Sequence, residues 1–371
     1  MAELLKYRLG AAAVQHIAHT LSRIMPNFAV SSFVDDSVAG LDERELKQRV
    51  SYLIDMLARY LPADFAQAAA ILQQVPRHWQ ARTEPGDYGF AAWPLIDYVS
   101  VHGLHEPELA LQTLAELTPL FTAEYAIRPF WQQHFDLSYR YAQQWTTHDN
   151  PHVRRLASEG CRSRLPWGSR VPQLIQQPDI ILPILAALKD DDSEYVRRSV
   201  ANNLNDISKD YPDKVLALAQ RWLADEPSMH RQWIIKHATR GLVKAGHPDI
   251  FVLLGYSAKV SLEQAHVALD KTTVHMNDSI TLNFRFFLAQ PQSLVIDYAL
   301  HLPRANGKTS VKVFKWQSGE LAAGEHPLSR SYTFKALTTR RYYAGQHAFE
   351  VLVNGQSYGK IGFDLVLDES R

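Results

Sequence analysis

The chain has 371 residues, 46% hydrophobic and 21% charged, the balance of an ordinary globular protein with room for two domains. Its one cysteine, Cys161, excludes an internal disulfide and fits a reducing compartment. No apolar run approaches the roughly 18 residues of a membrane span, and no signal peptide opens the chain, so a cytoplasmic protein without membrane contact is expected. Lys plus Arg balance Asp plus Glu at 39 each, but the charges are unevenly spread. Residues 1–150 carry 11 basic against 17 acidic side chains, residues 151–260 carry 16 against 12, and residues 261–371 carry 12 against 10. The basic excess lies in the middle and C-terminal parts, which suits a local anionic partner.

In chain order, residues 1–35 are spaced for an amphipathic pair of helices broken at Met25-Pro26-Asn27. Asp42 reads as the N-cap of a helix carrying Leu46, Val50, Leu53, Ile54, Leu57 and Tyr60. A short helix is expected over 65–74. Residues 85–94, with two glycines, two prolines, Tyr88, Phe90 and Trp93, read as an ordered aromatic loop. Another helix is expected over Pro107–Leu117. In 121–135, Thr122 is a candidate N-cap that puts Glu124 in a first turn, with Arg128 four residues on along the same face. Capping and a surface ion pair suffice to explain Glu124 on the residues alone.

The stretch 148–168 is more informative. Asn150 as N-cap and Pro151 at the first position start a helix whose apolar stripe is Val153, Leu156, Ala157 and Gly160. Arg155, Glu159 and Arg162 recur at i, i+4, i+7 on another face, and the helix is expected to stop at Arg164-Leu165-Pro166. Trp167 is left at that exit. Taken alone, the Arg–Glu spacing is a solvated ion pair of under about 1 kcal/mol.

The pattern returns 43 residues later, where Val196-Arg197-Arg198 repeats Val153-Arg154-Arg155 and Asn202 and Asp206 take the places of Glu159 and Ser163. A weaker third copy is expected in WIIKHATRGLVK, residues 233–244, with Leu242 in the place of Leu204. A period near 40 with paired helices reads as a HEAT-like α-solenoid, whose stacking puts equivalent helix faces on one surface. Arg154, Arg155, Arg162, Arg164, Arg197, Arg198, Lys236 and Arg240 are the candidate phosphate-binding cations. From about Leu262 alternating runs replace helical periodicity, at 280–286, 294–300, 310–316, 331–337, 347–353 and 359–367. Asn354-Gly355 between two of them signals a type I′ hairpin. The expected architecture is an all-α HEAT-like repeat solenoid over 1–260 followed by an all-β immunoglobulin-like sandwich over 261–371. The histidines and the cysteine show no metal-ligand spacing, so no metal or cofactor is expected.

FTAEYAIRPF (121–130), DNPHVRRLASEGCRSRLPWG (149–168) and EYVRRSVANNLNDISKDYP (194–212) resemble the AlkC family of bacterial alkylbase DNA glycosylases. The resemblance covers nearly the whole chain. It implies a monomeric enzyme at the bacterial nucleoid that acts on double-stranded DNA, removing 3-methyladenine and 3-methylcytosine without drawing the base into a pocket. Carried over motif by motif, it implies Glu124, Glu159, Asp206 and Trp167 as the active-site residues. A non-catalytic HEAT-like scaffold binding protein or DNA is the other reading such repeats allow.

Overall fold

The computed structural model describes residues 5–79, 88–226, 228–336 and 341–367, and among these eighteen α-helices precede eight strands. The helices are α1 (Ala11–Ile24), α2 (Val30–Ala39), α3 (Leu46–Tyr60), α4 (Phe65–Leu72), α5 (Val75–His78), α6 (Tyr88–Ala91), α7 (Trp93–His102), α8 (Pro107–Leu117) and α9 (Arg128–Gln133). They continue with α10 (Phe135–Trp145), α11 (Pro151–Glu159), α12 (Pro172–Gln176), α13 (Leu182–Ala187), α14 (Glu194–Ile207), α15 (Pro212–Asp225), α16 (Met229–Ala238), α17 (Arg240–Ala245) and α18 (Pro248–Leu253). None of the described helices is long and apolar enough to cross a membrane. Two compact units emerge, the first Met1–Ile207 with Pro227–Ala238, the second Ser208–Glu226 with Thr239–Arg371.

In the first unit the helices form the HEAT-like repeats, with α14 packed between α11 and α16. The apolar stripe is buried as its periodicity implies, with Val153, Leu156 and Ala157 of α11 and Gly160 just past its end all inside. Three local expectations are corrected. The third helix starts at Leu46, not Asp42, because Glu45 and Gln48 close a reciprocal capping box while 41–44 fold into a turn. Of the expected loop 85–94, residues 85–87 lie outside the described residues, and the rest is helical because Pro94 sits in the first turn of α7. Two of its aromatics, Phe90 and Trp93, do pack: Trp93 lies 5.5 Å, ring centre to ring centre, from each of Phe90, Phe121 and Tyr125. The third repeat copy is not one helix, since α16 ends at Ala238 and α17 begins past Thr239.

The second unit holds the strands β1 (Glu263–Leu269), β2 (Thr273–His275), β3 (Ser279–Leu288), β4 (Gln292–Pro303), β5 (Thr309–Leu321), β6 (Gly324–Thr333), β7 (Gly345–Val353) and β8 (Gln356–Val366). They make two sheets, β1-β3-β6 and β2-β8-β7-β4-β5, antiparallel except for β2 beside β8. Alternation does the work expected of it, as Ile280, Leu282, Phe284, Phe286 and Leu288 of β3 all point into the shared core. Of the run expected at 331–337, residue 337 lies outside the described residues and 331–333 are the tail of β6, which starts at Gly324 opposite Leu288 and ends before Phe334 turns into the core. The β7–β8 turn has φ of 44° at Asn354 and 75° at Gly355, as a type I′ turn requires. Any side chain at Gly355 would also strike the Gly246 backbone. Helices α15, α17 and α18 join this unit through a small core of Leu216, Leu242, Ile250, Phe251 and Val295.

One buried acid gives a test of the first unit. Asp97 of α7 accepts the Trp93 indole N–H at 2.7 Å, and burial pushes its carboxyl up from an ordinary 3.8 to about 7 against the opposing pull of that bond and of Lys47. The folded state therefore keeps a proton that the unfolded chain releases, and stability is lost as pH rises from about 4 through about 7. Asp97→Asn retains an acceptor for Trp93 without the charge. Thermal melts should show the variant gaining on the parent at pH 8 and gaining less at pH 5; a pH-independent difference would refute the assignment.

Candidate functional site

The residues singled out around α11 converge on one chain of alternating charges. Asn150 caps α11 by accepting the His152 N–H at 2.9 Å, which sets the helix so that Arg155 and Glu159 share a face. Arg155 donates to Glu124 at 2.6 Å and to Glu159 at 3.2 Å. Arg162 donates to Glu159 at 2.7 Å and to Asp206, in the last turn of α14, at 2.8 Å. The order is thus Glu124–Arg155–Glu159–Arg162–Asp206. Glu124 is 7%, Glu159 4% and Asp206 2% exposed, so this is a buried network and not a solvated ion pair.

Burial alone would weaken both guanidinium charges. The carboxylates outweigh it: Glu159 and Glu124 hold Arg155 above its ordinary pKa, and Glu159 with Asp206 does the same for Arg162. Neutral groups complete the network. Thr122 donates to Glu124 at 2.8 Å and accepts from Arg155 at 2.6 Å, and Ser199 of α14 donates to Glu159 at 2.6 Å. The Tyr195 ring lies 5.1 Å from the Arg155 guanidinium carbon, a cation–π contact. Burial first, and Glu124 next, push the Tyr125 hydroxyl up, so it stays protonated beside the acid.

The local structure around Glu124 differs from the helix expected there. Residues 123–127 form turns, and α9 begins only at Arg128. Arg128 does not pair with Glu124. It is 1% exposed and donates to the carbonyls of Gly160, Arg162 and Ser169 at 2.9, 2.8 and 2.8 Å. Burial lowers its guanidinium to about 10. Because Arg128 takes these carbonyls, α11 stops at Glu159 rather than running to Arg164, and Arg162 reaches its partners from a turn. Gly160 lies close against Ile127 and has no room for a side chain. Trp167 follows, 62% exposed, with φ of 64°.

The doubled arginines divide their labour in both repeats. Arg154 donates to the carbonyls of His148 and Asp149 and pairs with Asp191 through two nitrogens, at 2.6 and 3.0 Å. Arg197 donates to the carbonyls of Asp191 and Asp192. Each first arginine thus ties down the turn five and six residues upstream. Each second one faces the other way, Arg155 into the acid chain and Arg198 onto the Trp233 ring and Glu194. Arg164, Arg198 and Lys236 are exposed, whereas Arg240 belongs to the second unit. Sequence reasoning missed Ser199 and Tyr195, and it gave other roles to Thr122, which joins the acid chain, and to Arg128, which binds carbonyls. A signal existed for Ser199, which stands at the repeat position of apolar Leu156. Cys161 is buried with its thiol pushed up to about 12 by that burial. Among the described residues no group of three or more His, Cys, Asp or Glu is arranged to hold a metal ion.

Residues 121–242 match a family profile described as DNA alkylation repair enzyme, and residues 263–367 match that of the C-terminal Ig-like domain of the uncharacterised protein YhaZ. YhaZ of Bacillus subtilis (strain 168) is 34% identical over 357 residues, which is 95% of this chain and 96% of that one. Among solved structures, the alkylpurine DNA glycosylase AlkC of Pseudomonas fluorescens, bound to DNA containing an abasic-site analogue, is 35% identical. It covers 98% of this chain and all of that one at a TM-score of 0.90.

The division among the arginines is testable by equilibrium unfolding. Arg154→Met should cost roughly 1–3 kcal/mol, because it strands Asp191 and two carbonyls. Arg198→Met, whose side chain is 57% exposed, should stay within about 0.5 kcal/mol of the parent. Equal losses would remove the distinction.

Proposed function

Since the chain belongs to the AlkC family of alkylpurine DNA glycosylases, we propose that it excises N3-methylated bases, 3-methyladenine and 3-methylcytosine, from double-stranded DNA. One observation supports the chemistry most directly. The network holds three carboxylates against two guanidiniums, a formal excess of one negative charge. That is the complement of a sugar that turns cationic as its glycosidic bond stretches.

An N3-methylated base is itself a cation. Its C1′–N bond breaks with the electron pair going to the base, which leaves neutral and without help from an acid. Positive charge then develops on the deoxyribose, beside the carboxylates. Water adds to C1′ and gives its proton to one of them, leaving an abasic site and a free base. Glu159 has both oxygens engaged, Oε1 by the two arginines and Oε2 by Ser199, so its role here is to fix the chain and supply field. Glu124 and Asp206 form its two ends, where sugar and water would be met. The exposed face of Trp167 would lie against the damaged nucleotide, a contact worth about 0.5–2 kcal/mol. Nothing in this scheme needs to touch the base edge, so extraction into a pocket is not required.

Phosphates fall to cations that the acid chain does not use. We assign Arg164, Arg198, Lys236 and Arg240 to that role. Arg155 and Arg162 act through the carboxylates, and Arg154 and Arg197 support the fold. In the second unit a cavity of about 420 Å³ is lined by Arg304, Ser310, Lys312, Arg341 and Tyr343 together with Leu302 and Pro303. Three cations without a carboxylate suit a DNA phosphate. Of the other basic residues in this unit, Lys315 lies opposite Asp297 in the β4–β5 register, and Arg340 is outside the described residues.

Incubation with methylated duplex DNA should release free 3-methyladenine and leave abasic sites; no release would leave only a binding scaffold. Under single-turnover conditions Glu159→Gln and Asp206→Asn should each slow release roughly 100-fold. DNA affinity should be equal or higher, since a negative charge near phosphates has gone. Near-parental rates would make these acids structural. The combined variant Arg304→Ala, Lys312→Ala and Arg341→Ala should weaken DNA binding and flatten its log–log salt dependence by roughly 0.9 per phosphate lost. An unchanged slope would take the sandwich out of the binding surface.

A further inference from the structure

The turn that carries Trp167 is held from two sides by residues outside the acid chain. Its backbone has φ of 64°, a left-handed conformation that an aromatic residue rarely adopts and that surrounding contacts must maintain. On one side Arg128 clamps the flanking carbonyls of Gly160, Arg162 and Ser169. On the other, Lys47 of α3 reaches across 120 residues of sequence to donate from its Nζ to the carbonyl of Trp167 itself, at 2.9 Å. Lys47 also feels the buried Asp97 carboxyl of α7. Two segments far apart in sequence, α3 and the exit of α11, thus meet at this ammonium. Unlike Arg128, Lys47 is exposed, so the fold does not depend on burying it.

We propose that Lys47 is a positioning residue for Trp167: its ammonium anchors the carbonyl of the left-handed turn and so fixes the direction in which the exposed indole points. The functional consequence rests on the reading of Trp167 as the face that meets the damaged nucleotide. The anchoring itself does not. Lys47→Met keeps the aliphatic stem and removes the donor, while Lys47→Arg restores a cationic donor.

The full chain labelled with 5-fluorotryptophan decides the anchoring by 19F NMR. The chain has 8 tryptophans, and Trp167→Phe identifies the resonance of interest. Lys47→Met should shift or broaden that resonance and leave the six tryptophans other than Trp93, whose indole donates to Asp97, in place, and Lys47→Arg should bring it back. At saturating DNA the single-turnover excision rate of Lys47→Met should fall roughly three- to tenfold with DNA affinity within about twofold, and Trp167→Ala should abolish any further effect of the Lys47 change. A Trp167 resonance indifferent to Lys47→Met overturns the proposal. So does a loss of DNA affinity that adds to that of Trp167→Ala, because Lys47 would then be gripping a phosphate directly. If the parent protein releases no base, the glycosylase reading fails, while the resonance still answers for Lys47.

Discussion

Desolvation governs the site. Four ionic side chains are buried and a fifth, Arg155, is mostly so, and each would be strongly unfavourable there without its neighbours. The alternation of acid and arginine solves this locally, because every guanidinium touches two carboxylates and the central carboxylate touches two guanidiniums. The arrangement is also fragile. Removing one member leaves another charge buried and uncompensated, so the pieces supplied by 122–124, α11, the turn after it and α14 must be assembled together. A network of this kind is preorganised: its charges are already oriented, and little rearrangement is needed when a cation forms nearby.

The repeat architecture makes such assembly possible. Packing α11 against α14 puts Ser199 and Asp206 next to Glu159 and Arg162, although each pair is separated by 40 or more residues in sequence. The same stacking uses Asp190 and Asp191 as ties between repeats. Asp191 binds Arg154 of α11, and Asp190 binds Arg231 of α16 through two nitrogens at 2.6 Å each. One row of ion pairs therefore registers the helices, and another, on the opposite side of the doubled arginines, forms the candidate site. A double arginine serves both ends because consecutive helix positions point about 100° apart.

The second unit follows different rules. Its strands are specified by alternation, and its core is a single aromatic-rich layer in which Phe284, Phe334, Phe349 and Phe363 are almost fully buried. Three helices continue that unit, held by apolar contacts to Val295 of β4, and the Asn354 amide ties Val295 to Ser257 in the segment between α18 and β1. The unit boundaries thus follow packing, while the change from helix to strand occurs between Leu253 and Glu263.

How much of this was legible depends on the range of the interaction. Helix periodicity, strand alternation, the Asn354-Gly355 turn and the Asn150 cap are local, and the sequence by itself determined them. The 43-residue repeat also told which helix faces would be equivalent, and with it that Glu159 and Asp206 belong to one region. Tertiary structure alone decided the rest. Glu124 looked like a helix-capping acid with Arg128 as its partner, because both explanations need only four residues of context. In the fold Glu124 turns to Arg155, and Arg128 is drawn into three carbonyls of a distant turn. Nor could the pattern say which arginine of each pair faces the acids, since both positions suit a surface helix equally well. A long cationic side chain is satisfied by any carboxylate or carbonyl within reach, and only the packed chain determines which of them that is.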